Sequence, residues 1–259
     1  MGTLLEVRDL TKTYAEGTAE SKAVDHVNLE VEEGEFVILM GASGSGKTSI
    51  LHLISGIDTS SGGTIRYRDM QSAKPIGENS VDFSRMNEKE KTMFRRANIG
   101  IVFQQQCLIP DLTVYENMML PLMLDRRRKE KDSRRNTILK LCAQFGLKDH
   151  VGKYPSQLSG GQQQRAAILR SIANRPPILL CDEPTGSLNS AQTEIVMDLL
   201  EELNKNGQTI ILVTHDIQVA VRGKRVLYIE DGRIEGELKV TESGEREEKL
   251  IHFLQKKGW

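Results

Sequence analysis

Phe36–Met40 is apolar throughout and runs directly into Gly41-Ala42-Ser43-Gly44-Ser45-Gly46-Lys47-Thr48. Apolar residues then return at helical spacing through Ile50, Leu51 and Ile54. The pattern predicts a strand buried on both faces, a glycine loop and a helix start in immediate succession. In that setting G-x-x-x-x-G-K-[ST] is a phosphate loop. Its glycines let backbone N–H groups turn toward phosphate oxygens, and the helix N-terminus adds partial positive charge. Lys47 is expected to reach the β- and γ-phosphates and Thr48 to reach Mg2+. The nucleotide-contacting run is Gly41, Ala42, Ser43, Gly44, Ser45, Gly46, Lys47, Thr48 and Ser49. A flexible Gly/Ser turn is the plainer reading, and the flanking strand and helix count against it.

Such a site needs a carboxylate brought to the metal. The run Ile178-Leu179-Leu180-Cys181-Asp182-Glu183 is an apolar stretch ending in two acids. A strand end places Asp182 beside the loop, where it can hold Mg2+ through water. Because the strand ends here, Glu183 can turn toward the γ-phosphate as the base that polarises water. The competing reading is an acidic pair before a turn, since Pro184 and Gly186 follow.

The opening third carries alternating apolar positions over residues 4–14 and 23–31, the period of half-buried strands. The middle, residues 111–175, is rich in helix formers, charge and Met, with helices predicted over 113–124, 133–145 and 162–174. Pro121 is expected to kink or end the first. Gly160-Gly161 and Pro176-Pro177 bound the third. Strand and helix then alternate again: strands at 178–181 and 208–214, a helix at 190–206 closed by Gly207, and a hairpin turning at Asp231-Gly232. Residues 237–259 are charged and read as a peripheral appendage. The fold class is therefore α/β, with a parallel sheet interrupted by an inserted α-helical subdomain.

Composition narrows the function classes. Apolar residues make up 38% and charged residues 27%, enough for a packed core. Basic and acidic residues number 35 and 36, a net charge of −1, which argues against a dedicated nucleic-acid binder. Arg126-Arg127-Arg128-Lys129 and Arg134-Arg135 are interleaved with Glu130 and Asp132 and read as a solvated helix face. Three scattered cysteines, Cys107, Cys142 and Cys181, make neither a disulfide framework nor a zinc cluster. No apolar run approaches the roughly 18 residues that cross a bilayer. The opening MGTLLEVRDL shows no basic segment followed by a long apolar stretch, so no secretory signal is expected.

Leu158-Ser159-Gly160-Gly161-Gln162, upstream of the Asp182 strand, resembles the signature motif of ABC-type ATPases. The resemblance implies a P-loop NTPase core over residues 1–103 and 176–236 with a mainly parallel sheet and an N-terminal antiparallel β subdomain, an inserted α-helical subdomain over about 104–175, and a tail at 237–259. Ser159, Gly160, Gly161 and Gln162 open a helix and so form an anion site. In the family that site binds the γ-phosphate of ATP held by a second copy, which implies a homodimer with two shared sites. The same resemblance gives Tyr14 the role of stacking on adenine and Gln104 that of contacting Mg2+ and sensing the membrane partner. His215, after the 208–214 strand, becomes the switch residue that contacts the γ-phosphate and helps Glu183. The cofactors implied are ATP and Mg2+. One departure is Asn189, where the family usually has Asp; it keeps an acceptor and loses the charge.

The runs GASGSGKTSILHLISGIDTSSGGTI, VFQQQCLIPDLTVYENMMLPLML, YPSQLSGGQQQRAAILRSIANRPPILLCDEPTGSLNS and VTHD are similar to the MacB-like branch. That branch couples ATP hydrolysis to movement of a membrane permease, which implies a peripheral position at the cytoplasmic membrane face. The stretch 108–124 is the expected docking surface, carrying Ile109, Leu112, Met118, Met119, Leu122 and Met123; the alternative is that these residues are core. Residues 69–95 read as a chain-specific insertion. The competing functional class is a soluble ABC-type ATPase acting on nucleic acid or ribosomes.

Overall fold

The computed structural model describes residues 2–16, 19–69, 80–124, 131–239 and 246–258. The chain opens with β1 (Thr3–Glu16), β2 (Ala19–Glu32), β3 (Phe36–Met40), α1 (Lys47–Ser55), β4 (Gly62–Arg68) and β5 (Ser80–Asp82). It continues through α2 (Glu88–Asn98), β6 (Ile99–Val102), α3 (Val114–Leu124), α4 (Lys131–Gln144) and α5 (Gly160–Ser171). It closes with β7 (Ile178–Asp182), α6 (Ser190–Lys205), β8 (Thr209–Thr214), α7 (Ile217–Ala220), β9 (Arg225–Glu230), β10 (Arg233–Lys239) and α8 (Arg246–Gln255).

The strands form two sheets. One is antiparallel, in the order β2-β1-β4-β5. The other runs β10-β9-β3-β8-β7-β6 and is parallel except for the β10 edge. Side chains alternate across a strand, and the parallel sheet uses both faces. Phe36, Ile38, Met40, Leu179, Cys181, Ile210 and Leu212 point into a core shared with the helices. Val37, Leu39, Leu180, Ile211, Val213 and Leu227 point into a second core shared with α1 and the antiparallel sheet. The result is three layers, with β3 buried at all five positions in the middle.

The alternation in β1 changes phase at a register shift between Val7 and Leu10, where Asp9 takes φ 52° and faces His26, itself at φ 53°. The irregularity lets Val7 and Leu10, three residues apart, both be buried.

Some of the expectations from sequence need correction. Over its described portion the 237–259 stretch is not peripheral: 237–239 complete β10, and Leu250 and Leu254 of α8 are buried in the helical core. The 69–95 stretch, read as an insertion, is structured over its described portion, which leaves that reading unchanged. Its β5 pairs with β4, and Phe83 packs against Tyr67 and Phe94 at centroid distances of 5.6 and 5.2 Å; residues 70–79 lie outside the described residues. Gly160-Gly161 do not precede α5 but form its first turn; of the two outcomes expected at Pro121, ending the helix is not the one seen, since Pro121 sits inside α3. Of the apolar residues read as a docking surface, Met118, Met119 and Leu122 are core, whereas Ile109, Met123 and Leu124 are exposed. Arg134, read as solvated, is buried; Arg126–Lys129 lie outside the described residues.

Candidate functional site

The loop after β3 is wedged between backbone segments. Gly46 takes φ 100°, and a Cβ there would stand 2.3 Å from the Ala23 carbonyl oxygen on β2 and 3.2 Å from Gly232 Cα in the β9–β10 turn. Gly232 N–H donates to the Ser45 carbonyl at 3.0 Å, and its own carbonyl accepts from Asp25 N–H at 2.9 Å. Only glycine fits such a contact. Gly46 also offers no side chain to cap α1, in contrast to Asn87, Ser159, Asn189 and Asp216, whose side chains accept first-turn N–H groups of their helices. The first-turn donors of α1 are thereby left for an anion.

Lys47 is buried at 4% exposure, and its Nζ donates to the carbonyls of Gly41 and Ala42 at 2.9 and 2.6 Å. Burial holds the ammonium below the usual lysine range, and the charges of Glu183 and Asp182 pull it back up. Thr48 Oγ1 donates to Asp182 Oδ1 at 2.8 Å, across from the end of β7. Burial pushes the Asp182 carboxyl up, opposed by the Thr48 hydrogen bond and by His52. The Thr48 hydroxyl and the Asp182 carboxylate are hard oxygen donors of the kind that suit Mg2+. Among the described residues no cluster of His, Cys, Asp and Glu competes as a metal site.

Glu183 takes φ 42°, a left-handed backbone that costs a non-glycine residue about 1–2 kcal/mol. Its N–H still donates to Val213 of β8 at 3.1 Å. The carboxylate Oε1 lies 3.2 Å from His215 Nδ1. On its other side, a Cβ on Gly186 would meet Gln104 Nε2 at 2.9 Å and Glu183 Oε2 at 3.2 Å. The structure therefore gathers Lys47, Thr48, Gln104, Asp182, Glu183 and His215 at the C-terminal ends of β3, β6, β7 and β8, the usual ligand edge of such a sheet.

Tyr14 stands at the rim with 41% exposure. Its hydroxyl donates to Asp58 Oδ2 at 2.6 Å, and Lys12 Nζ lies 4.7 Å from the ring centroid. Lys12 Nζ also bonds Asp58 Oδ1 at 2.7 Å. Sequence reading missed Asp58 and His52. Asp58 lies 44 residues from Tyr14, with no local sign of the contact. His52 did have a signal, since it sits one helical turn after Thr48 on α1 and approaches Asp182 Oδ2 at 3.8 Å.

Ser159, Gly160, Gly161 and Gln162 occupy a separate place. Ser159 Oγ accepts Gln162 N–H at 3.4 Å and Gln162 Oε1 accepts Ser159 N–H at 2.9 Å, a reciprocal cap at the start of α5. A Cβ on Gly161 would stand 2.0 Å from Gln192 Oε1 of α6, the same oxygen that accepts from Arg165 Nη1 at 2.9 Å. Asn189 caps α6 by accepting Gln192 N–H at 3.0 Å. No hydrogen bond among the described residues joins this cap to the phosphate loop.

Residues 24–186 match the family model described as ABC transporter. The chain belongs to the ABC transporter family. As an ABC cassette it is an ATPase. Two uncharacterized ABC transporter ATP-binding proteins of Methanocaldococcus jannaschii are each 42% identical to it, over 89% and 92% of this cassette and 97% of each relative. The macrolide export ATP-binding/permease protein MacB of Hyphomonas neptunium is 37% identical over 94% of this cassette, which spans 35% of that protein. A solved structure of the second archaeal relative, a dimeric post-hydrolysis state bound to ADP and Pi, is 40% identical. It has a TM-score of 0.79, with 92% of this cassette and all of that chain covered. Among the described residues no helix is long and apolar enough to cross a membrane.

Proposed function

We propose that two copies of this cassette bind two ATP molecules face to face and that hydrolysis drives a MacB-like membrane permease at the cytoplasmic membrane face, in the direction of export or substrate extraction. The open N–H groups of α1 and the Lys47 ammonium grip the β- and γ-phosphates, and Tyr14 stacks on the adenine. Thr48, Asp182 and Gln104 would hold Mg2+, which would supply charge neutralisation at the phosphates. Glu183 polarises the attacking water, and His215, bonded to it, fixes the carboxylate and faces the γ-phosphate. Ser159–Gln162, the capped start of α5, contacts the γ-phosphate held by the other copy. Loss of that shared anion on hydrolysis releases the closed pair. In this reading the ATPase unit spans 1–236, with the helical part over 104–175 carrying the signature tip.

The observation that carries the proposal is the division of the anion-binding groups. One set converges on Lys47 at the sheet edge, and the other is a separate capped helix start that shares no bond with it. A variant with Glu183→Gln is expected to bind ATP and run as a dimer by light scattering, with hydrolysis lost. Lys47→Ala is expected to lose nucleotide binding. A Glu183→Gln chain that stays monomeric with saturating Mg-ATP sinks the shared-site reading.

A further inference from the structure

We propose that the C-terminal helix α8 positions His215 through a hydrogen bond from Gln218 on α7 to Glu247; the inference rests on the roles given to His215 and Glu183 above. His215 is exposed over 58% of its side chain, and its one described side-chain contact is the Glu183 carboxylate. Its orientation is therefore set by the backbone that carries it into α7. That helix is a single turn, Ile217–Ala220, too short to hold its own shape in water. Asp216 caps it, with Oδ1 accepting Gln218 N–H at 2.8 Å. Locally the turn has a few further bonds, among them Ala220 N–H to the Asp216 carbonyl and Val221 N–H to the Ile217 carbonyl, both at 2.9 Å, and Asp216 N–H to Thr214 Oγ1 at 3.0 Å; its packing comes from outside.

On the apolar side, buried Val219 and Ala220 share a core with Leu250 and Leu254 of α8, and Ile217, Val221 and Phe253 pack at its margin. On the polar side, Gln218 lines a cavity of about 410 Å³ together with Glu183, Gly186 and His215. Its Nε2 donates to Glu247 Oε1 at 2.7 Å. The amide is thus drawn toward α8 at the wall of the cavity that holds Glu183 and His215. Without Glu247 the Gln218 side chain is free to turn, and α7 loses its polar tether while keeping its apolar one. Glu247 touches neither His215 nor Glu183, so its role is positioning.

The test is steady-state ATP hydrolysis by the full-length chain. Glu247→Ala is expected to lower kcat about threefold to fivefold, the worth of one such bond, with KM for ATP unchanged. Glu247→Gln keeps an oxygen acceptor and is expected to restore kcat. Gln218→Leu removes the donor and is expected to match Glu247→Ala, which also covers the case in which the latter folds poorly. In a His215→Ala background, Glu247→Ala is expected to have no further effect. If His215→Ala leaves kcat intact, the role of His215 falls and this proposal with it. If His215→Ala lowers kcat while Glu247→Ala does not, or if the two losses multiply, the α8 proposal alone is overturned.

Discussion

Gly161→Ala tests how the signature helix is seated. The added methyl would lie 2.0 Å from Gln192 Oε1, 2.8 Å from its Cδ and 2.9 Å from its Cβ. The Gln192 side chain must swing away. Its oxygen is the acceptor for Arg165, a guanidinium at 5% exposure whose Nε already has no partner. Losing a hydrogen bond to a buried charged group costs about 1.5–3 kcal/mol. Forcing Gln192 off its rotamer adds about 0.5–1.5 kcal/mol. Against this, alanine in a helix gains about 0.5–1 kcal/mol over glycine. The balance is a loss of about 1–4 kcal/mol, centred near 2. For a chain of this size that lowers Tm by about 4–8 °C.

Calorimetry of Gly161→Ala, Gln192→Ala and the double variant reads the balance directly. Gln192→Ala alone already strands Arg165, so adding Gly161→Ala is expected to cost less than it does in the native chain, with only the 2.9 Å approach to the residue 192 Cβ remaining. The cycle should then show a coupling of up to about 2 kcal/mol. A Gly161→Ala Tm equal to or above native, or strictly additive losses, would refute the reasoning.

Two further outcomes are expected. Arg233 donates to Asp25 Oδ2 at 2.8 and 2.5 Å and holds that carboxyl below its ordinary value of 3.8. A depressed folded pKa means stability that is present above the ordinary value and lost as pH falls through the depressed one. The Tm gap between native protein and Asp25→Asn should therefore be open at neutral pH and close in acid; a gap independent of pH counts against the ion pair. Met123→Glu and Leu124→Glu, on the exposed end of α3, should reduce co-purification with a permease at unchanged Tm. Met118→Glu, fully buried, should instead lower stability by about 3 kcal/mol or more.

The parts of the fold legible in the sequence are those set by neighbours along the chain. β3 and α1 begin and end where the apolar run, Lys47 and Gly56 place them, because a buried strand and a glycine stop are local signals. The hairpin turn at Asp231-Gly232 was legible for the same reason, with both residues at positive φ. The tail was not. Arg246–Gln255 carries two leucines four apart among charges, and only the distant α7 surface makes them core. In α3, apolar residues cover nearly the whole circumference, so periodicity could not separate buried Met118 from exposed Met123. The contact of Tyr14 with Asp58 and that of Gly161 with Gln192 join elements far apart in sequence, which no single-chain pattern encodes.

The junction at Gly46, Ala23 and Gly232 has a mechanical consequence. Three stretches of main chain from β2, the phosphate loop and the β9–β10 turn meet there, and two hydrogen bonds through Gly232 tie them in series. The Arg233–Asp25 ion pair braces the same joint from the side-chain level. The seating of the phosphate loop is therefore tied by main chain to the antiparallel layer, and the two layers share one anchor point at Gly232.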